Sequence, residues 1–214
     1  MRTDDLIAAL ATEVAPVDRR AVAKRLGVYA LAVLPVSAAV MVMWLHLRQD
    51  LAEAVFSGFF WVKLAYALAL ALTGFLMAER LSRPAAPFQR PAASAVRVIF
   101  GMAVWGAAAL YLTPAPERLA TWLGGSYSVC GAYILTLSLP MLAAALLATR
   151  QGAPTKPRLA GLACGLFAGG LGAAVYCLHC PESAAPFLAT WYTLGMLATA
   201  ALGALLGPLT LKWR

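Results

Sequence analysis

The sequence predicts an all-α polytopic membrane protein: six transmembrane helices, both termini on the cytoplasmic side, and a short amphipathic helix ahead of the first span. Three observations predict it. Apolar residues make up 62% of the chain and charged residues only 12%, about half the roughly 25% charged fraction of a soluble domain. Mean hydropathy is +0.78, and the apolar residues gather into six stretches near the roughly 20-residue length that crosses a bilayer as a helix. With the N-terminus inside, all of the 17 Lys and Arg residues except Arg48, Lys63 and Arg118 fall on one face, the asymmetry that marks cytoplasmic loops.

The chain divides into a polar segment, residues 1–25, and a membrane domain, residues 26–214. In the first, Thr3 is placed to cap a helix and Asp4 and Asp5 suit its positive N-terminal end. Leu6, Ile7, Leu10 and Val14 recur at helical spacing, and Pro16 ends the run. The expected product is an amphipathic helix of about three turns on a basic tether of Arg19, Arg20, Lys24 and Arg25. No cleavable signal peptide is expected, because the first apolar run starts late and is long enough to span.

The spans are expected near 26–47, 59–79, 96–113, 127–148, 159–178 and 187–210. Charged or Pro-rich breaks separate them: 48–53, 80–91, 113–125, 150–158 and 180–186. Trp44, Trp61, Trp122, Tyr127, Tyr176, Trp191 and Tyr192 fall near the outer ends and Trp213 at an inner one, the interfacial placement these side chains favour. The net charge of +8 does not point to nucleic acid, because the basic residues lie at the ends of apolar segments instead of forming a stripe interleaved with aromatics.

Gly161, Gly165 and Gly169 repeat every fourth position, as do Gly195, Thr199, Gly203 and Gly207. Small residues at that spacing let helix backbones approach closely, so spans five and six are expected to pack face to face. Lys63 and Glu79 sit at the two ends of span two, and Pro35 and Pro140 interrupt spans one and four without a companion charge. A transporter places ionisable groups or broken helices near the bilayer midplane, so a pump or channel is disfavoured.

The segment Tyr176-Cys177-Leu178-His179-Cys180-Pro181-Glu182 puts two thiols and an imidazole within four residues, in a chain with four Cys and two His. Such side chains respond to oxidants and soft metals. The topology places Cys130, Cys177 and Cys180 at the outer ends of spans four and five, where disulfides persist, and Cys164 in the inner half of span five. A Cys130–Cys180 disulfide is the preferred pairing, with Cys177–Cys180 as the alternative; the first needs spans four, five and six to be neighbours. Ser183 is a candidate N-cap for span six. A soft-metal site of Cys130, Cys177, Cys180 and His179 is chemically reasonable, but it lacks a second diagnostic pair of ligands, so no metal or cofactor is assigned. His46 reads as an interfacial residue.

The opening Met1-Arg2-Thr3-Asp4-Asp5-Leu6-Ile7-Ala8-Ala9-Leu10, the six spans, Cys130 early in span four, and Leu178-His179-Cys180-Pro181-Glu182 leading into Trp191-Tyr192 together resemble the NrsF-like integral-membrane anti-sigma factors of proteobacteria. The resemblance covers essentially the whole chain. It implies a protein of the bacterial inner membrane that holds an extracytoplasmic-function sigma factor inactive on the cytoplasmic side and releases it when redox or heavy-metal stress acts on the periplasm-facing cysteines. By position, Cys130 and Cys180 match the family's paired signal cysteines, with Cys177 and His179 beside them. The segment Thr3, Asp4, Asp5, Leu6, Ile7 and Leu10 is the natural sigma-contacting element, because an acidic amphipathic helix suits docking by its apolar face to a protein; binding the inner leaflet favours basic residues.

Two rival classes remain. A thiol-disulfide oxidoreductase needs two dithiol pairs and a cofactor, whereas this chain has no second C-x-x-C. The glycine faces alone would suffice for a structural subunit of a membrane complex. The expected protein is therefore not an enzyme, and its partners are a sigma factor and the lipid bilayer, without direct contact to nucleic acid.

Overall fold

In the computed structural model, residues 2–12, 20–84 and 86–211 are described. Val14, Pro16, Arg19, Lys212, Trp213 and Arg214, on which some of the sequence-based expectations rest, lie outside them. All regular structure among the described residues is helical. Helix α1 covers Thr3–Thr12. Thr3 lies inside its first turn, and Asp5 reaches back to accept the Arg2 amide at 3.2 Å, which satisfies one of the donors a helix start leaves open.

Helix α2 runs Ala21–Trp44, α3 is a short Leu51–Phe56 helix, and α4 runs Gly58–Leu81. Ser57 caps α4 by accepting the Phe60 amide at 3.4 Å. Helix α5 spans Gln89–Leu112; a 3-10 turn at Ala115–Glu117 leads into α6, Arg118–Leu123. Helix α7 is Tyr127–Arg150 and α8 is Pro157–Tyr176. The last span begins as α9, Ala185–Phe187, passes through a π turn at Leu188–Tyr192, and continues as α10, Thr193–Thr210.

Among the described residues, six helical stretches are long and apolar enough to cross a membrane, in the six places expected. The start of span three differs: α5 begins at Gln89, well before residue 96. Backbone hydrogen bonding continues through Arg90 and Arg97, whose side chains are exposed, so the helix outlasts its apolar stretch.

Helix α8 is the axis of the bundle. Its most apolar stretch is 78% buried, against 17% for those of α2 and α5, and α10, α4 and α7 pack around it. Glycine permits this. A Cβ on Gly165 would lie 2.6 Å from the Ala200 Cα, and one on Gly169 would lie 2.9 Å from the Met196 carbonyl oxygen. Toward α4, a Cβ on Gly170 would meet the Ala67 carbonyl oxygen at 2.6 Å. The two glycine series of the sequence thus face one another, backbone against backbone.

The bundle has two distinct ends. At one, the Ala153 amide donates to the Ser82 carbonyl at 2.9 Å and Gln151 Nε2 donates to the Tyr29 hydroxyl at 3.2 Å, tying the α7–α8 loop to α4 and α2. The other end holds the cysteines.

Candidate functional site

Cys130 sits in the first turn of α7, Cys177 caps the C-terminus of α8, and Cys180 lies in the loop after it. Each has 0% exposure. The chain from Gly124 to Tyr127 turns sharply into α7 and brings Cys130 toward the α8–α9 loop, so that the Cys130 and Cys180 side chains are within electrostatic reach of each other. Cys164 stands apart, deeper in α8, 3.2 Å from Thr149 Oγ1 and 3.7 Å from the Ala145 carbonyl oxygen.

Tyrosines enclose the thiols. Tyr192 is fully buried, donates its hydroxyl to Cys177 Sγ at 3.8 Å, and is within electrostatic reach of all three thiols. The π turn Leu188–Tyr192 aims it there, since one extra residue in a helical turn rotates the side chains beyond it. Thr193, just after the turn, is bound by the Tyr66 hydroxyl at 2.7 Å. The Tyr176 ring packs against Tyr192 at 5.7 Å, His179 at 5.6 Å and Tyr133 at 6.1 Å between centroids, separations typical of aromatic pairs.

The cysteine loop is clasped by the segment after α2. Arg48 donates its amide to the Leu178 carbonyl at 3.2 Å and its Nη1 to the Cys180 carbonyl at 3.2 Å. From α4, Lys63 Nζ donates to the same Cys180 carbonyl at 3.0 Å, and Lys63 is only 1% exposed. Arg48 also grips Asp50 with Nε at 2.7 Å and Nη2 at 2.6 Å, and those hydrogen bonds hold the Asp50 carboxyl below the usual carboxylate range. His179 Nδ1 donates to the His46 carbonyl at 2.9 Å. His46 has φ of 63°, a left-handed conformation uncommon for residues other than glycine, and it reverses the chain at the end of α2.

A second latch joins the α6–α7 turn to the same loop. Glu182 accepts the Gly125 amide at 2.7 Å and the Ser126 hydroxyl at 3.3 Å. Gly124 adopts φ 61° and ψ −175°, a region open essentially to glycine alone. Trp191 Nε1 donates to the Trp122 carbonyl at 3.0 Å.

The structure thus brings together Cys130, Cys177 and Cys180, with His179 on the rim against Tyr176. All four cysteines are free thiols, so neither expected disulfide is present. Among the described residues, no three His, Cys, Asp or Glu side chains converge as a metal ion requires. Ser183 does not cap the last span: its hydroxyl donates to the Pro181 carbonyl at 3.3 Å, and Ala184 occupies the cap position. Thr3, Asp4, Asp5, Leu6, Ile7 and Leu10 all lie on α1, with every side chain exposed. Sequence reasoning missed the roles of Lys63, Arg48 and His46. Their only sequence signal is a pair of cations and a histidine at the same end of the spans as the cysteines, where the loops carry no other Lys or Arg except Arg118.

Fold and site together define a six-span helical membrane protein that buries free thiols beneath a hydrogen-bonded loop at one end. Residues 10–213 match the family described as negative regulator of sigma F, and the chain belongs to that family. Over 100% of both chains it is 43% identical to the anti-sigma-F factor NrsF of Caulobacter vibrioides and 41% identical to the probable anti-sigma-F factor NrsF of Azospira oryzae. No solved structure matches the chain.

Proposed function

We propose that this protein is a membrane-bound anti-sigma factor. It holds a sigma factor of the extracytoplasmic-function class inactive at the cytoplasmic face of the bacterial inner membrane, and releases it when the thiols on the periplasmic face react with an oxidant or a heavy metal. The carrying observation is membership of the negative regulator of sigma F family across residues 10–213, with full-length relatives named as anti-sigma-F factors.

Two structural features support the division of labour. Helix α1 leads into the end of α2 opposite the cysteines and leaves Leu6, Ile7 and Leu10 exposed at 44%, 60% and 65%, an apolar stripe fit for a partner's groove. At the other end the thiols come from α7, the end of α8 and the following loop, so a reaction there bears directly on the central helix. Joining Cys130 to Cys180 transfers two electrons and two protons to the oxidant and draws the loop toward α7. A disulfide contributes about 2–4 kcal/mol, enough to shift a two-state equilibrium by well over tenfold. The protein acts by binding and release, not by turnover.

A tagged full-length protein isolated from its native host in mild detergent is expected to carry a small sigma factor, and removal of residues 2–15 is expected to lose it. Recovery of only other membrane subunits or periplasmic thiol proteins would overturn the reading.

A further inference from the structure

The buried ammonium of Lys63 is not explained by a docking helix or by the thiols taken alone. Burying a cation is costly unless it is paired. The carboxylate within its electrostatic reach, Asp50, is already gripped by two nitrogens of Arg48. What Lys63 touches is the Cys180 carbonyl at 3.0 Å and the Tyr192 ring, whose centroid is 5.5 Å from Nζ. Around it stand the thiols of Cys130 and Cys177, both within electrostatic reach.

The three thiols do not have equal surroundings. Cys177 Sγ accepts a neutral hydroxyl, that of Tyr192. Cys130 lies in α7, with Tyr176 and Glu182 within reach. Cys180 alone has two cations, Arg48 Nη1 and Lys63 Nζ, bonded to its own peptide carbonyl; covalent geometry keeps a cysteine sulfur within about 3–5 Å of that oxygen. A second observation points the same way. The Tyr176 hydroxyl is fully buried, makes no hydrogen bond of ordinary geometry among the described residues, and lies beside Ser126 and the thiols of Cys130 and Cys180. It is placed to donate to a sulfur anion on either of those two cysteines.

We infer that Lys63 is the counter-cation of Cys180: pinned to that residue's carbonyl, its ammonium supports the thiolate of Cys180 and makes it the first of the three thiols to react. The inference rests on reading the thiols as the sensor, and casts Lys63 as a positioning residue that acts through Cys180. Thiolate is the nucleophile toward oxidants and soft metals, and nearby cations favour it. The charge arrangement then closes on itself, Arg48 with Asp50 and Lys63 with Cys180. Cys130 and Cys177 are then the resolving partners.

The test uses the full-length protein in lipid nanodiscs, pulsed with N-ethylmaleimide from about pH 5 to 10, a range that brackets the ordinary thiol value near 8.5. Labelling of each cysteine is read by peptide mass spectrometry. Cys177 and Cys180 are both buried and lie three residues apart at one end of α8, so their ratio offsets differences in access. The expected result is a Cys180 midpoint at least about one pH unit below that of Cys177. K63M should slow Cys180 labelling at neutral pH about tenfold, a larger loss than at Cys177, which also feels the Lys63 charge, and K63R should restore most of the rate. Equal midpoints in the unmodified protein, or unchanged or faster Cys180 labelling in folded K63M, overturn the inference. If K63M does not fold, the ordering in the unmodified protein and the K63R profile decide. No sigma factor enters the assay, so its failure is separable from failure to capture one.

Discussion

His179 donates its Nδ1 hydrogen to the carbonyl of His46 at 2.9 Å, so the two histidines of the chain form one contact between the loops that cover the thiols. The carbonyl is presented by the left-handed backbone at His46, φ 63°. A side chain other than glycine held there costs on the order of 1 kcal/mol. H46G should therefore leave thermal stability in detergent unchanged or raise it slightly, whereas H46V should lower it by about 1–2 kcal/mol. H179A should leave the fold intact and speed reagent access to Cys180.

Gly124 makes a sharper prediction. A Cβ there would lie 2.6 Å from Glu182 Oε2 and 2.8 Å from the Phe187 ring, on a backbone with φ 61°. G124A is expected to destabilise the protein by about 2–3 kcal/mol. E182Q keeps the shape but weakens the charge-assisted bonds to Gly125 and Ser126, and should cost about 1 kcal/mol. Thermal denaturation of the two variants side by side checks the order.

Contrast within the membrane tests the glycine interface. G165A forces a methyl against the Thr199 and Ala200 backbone of α10, and should reduce folded yield sharply. G101A on α5 meets nothing within 4 Å, and should be neutral or stabilising by up to about 1 kcal/mol. Equal losses from both would contradict the packing described for α8.

The Arg48–Asp50 pair carries a pH sign. Its hydrogen bonds lower the Asp50 value in the folded state, so the clasp is fully present above the unfolded carboxylate value of about 3.9. It is lost only as pH falls through the lower folded value. Access of thiol reagents to the cysteine loop, measured after acid exposure, should stay constant down to about pH 4 and then rise. D50N should be insensitive to pH over that range.

For the sensor itself, replacing Cys130 and Cys180 together with Ser should leave sigma-factor capture intact and abolish the response of target genes to the stress. An unchanged response in the double variant removes the thiols from the mechanism.

The six-helix fold was legible because hydropathy acts over whole helices, and the glycine series because a period of four maps onto one helix face. The placement of Cys130 and Cys180 at one end of the bundle was legible too, since the Gly124-Gly125 turn precedes one and the Pro181–Pro186 loop follows the other; the disulfide expected between them is absent. Lys63 was not. A lysine near a span terminus reads as a topology signal or as a side chain reaching the interface, and its burial depends on a carbonyl 117 residues away. The π turn at Leu188–Tyr192 leaves no periodicity to detect, and α3 and α6 are too short to impose one.

The close contact of α8 with its neighbours has a mechanical consequence. Where Gly165 meets Ala200 and Gly170 meets Ala67, no long side chains stand between the backbones to change rotamer and absorb a shift. The helix from Pro157 to Tyr176 has 20 residues, about 30 Å of rod. An axial push delivered at Cys177 cannot dissipate along the way: it reaches the loop at Pro157 nearly undiminished, or the rod does not move.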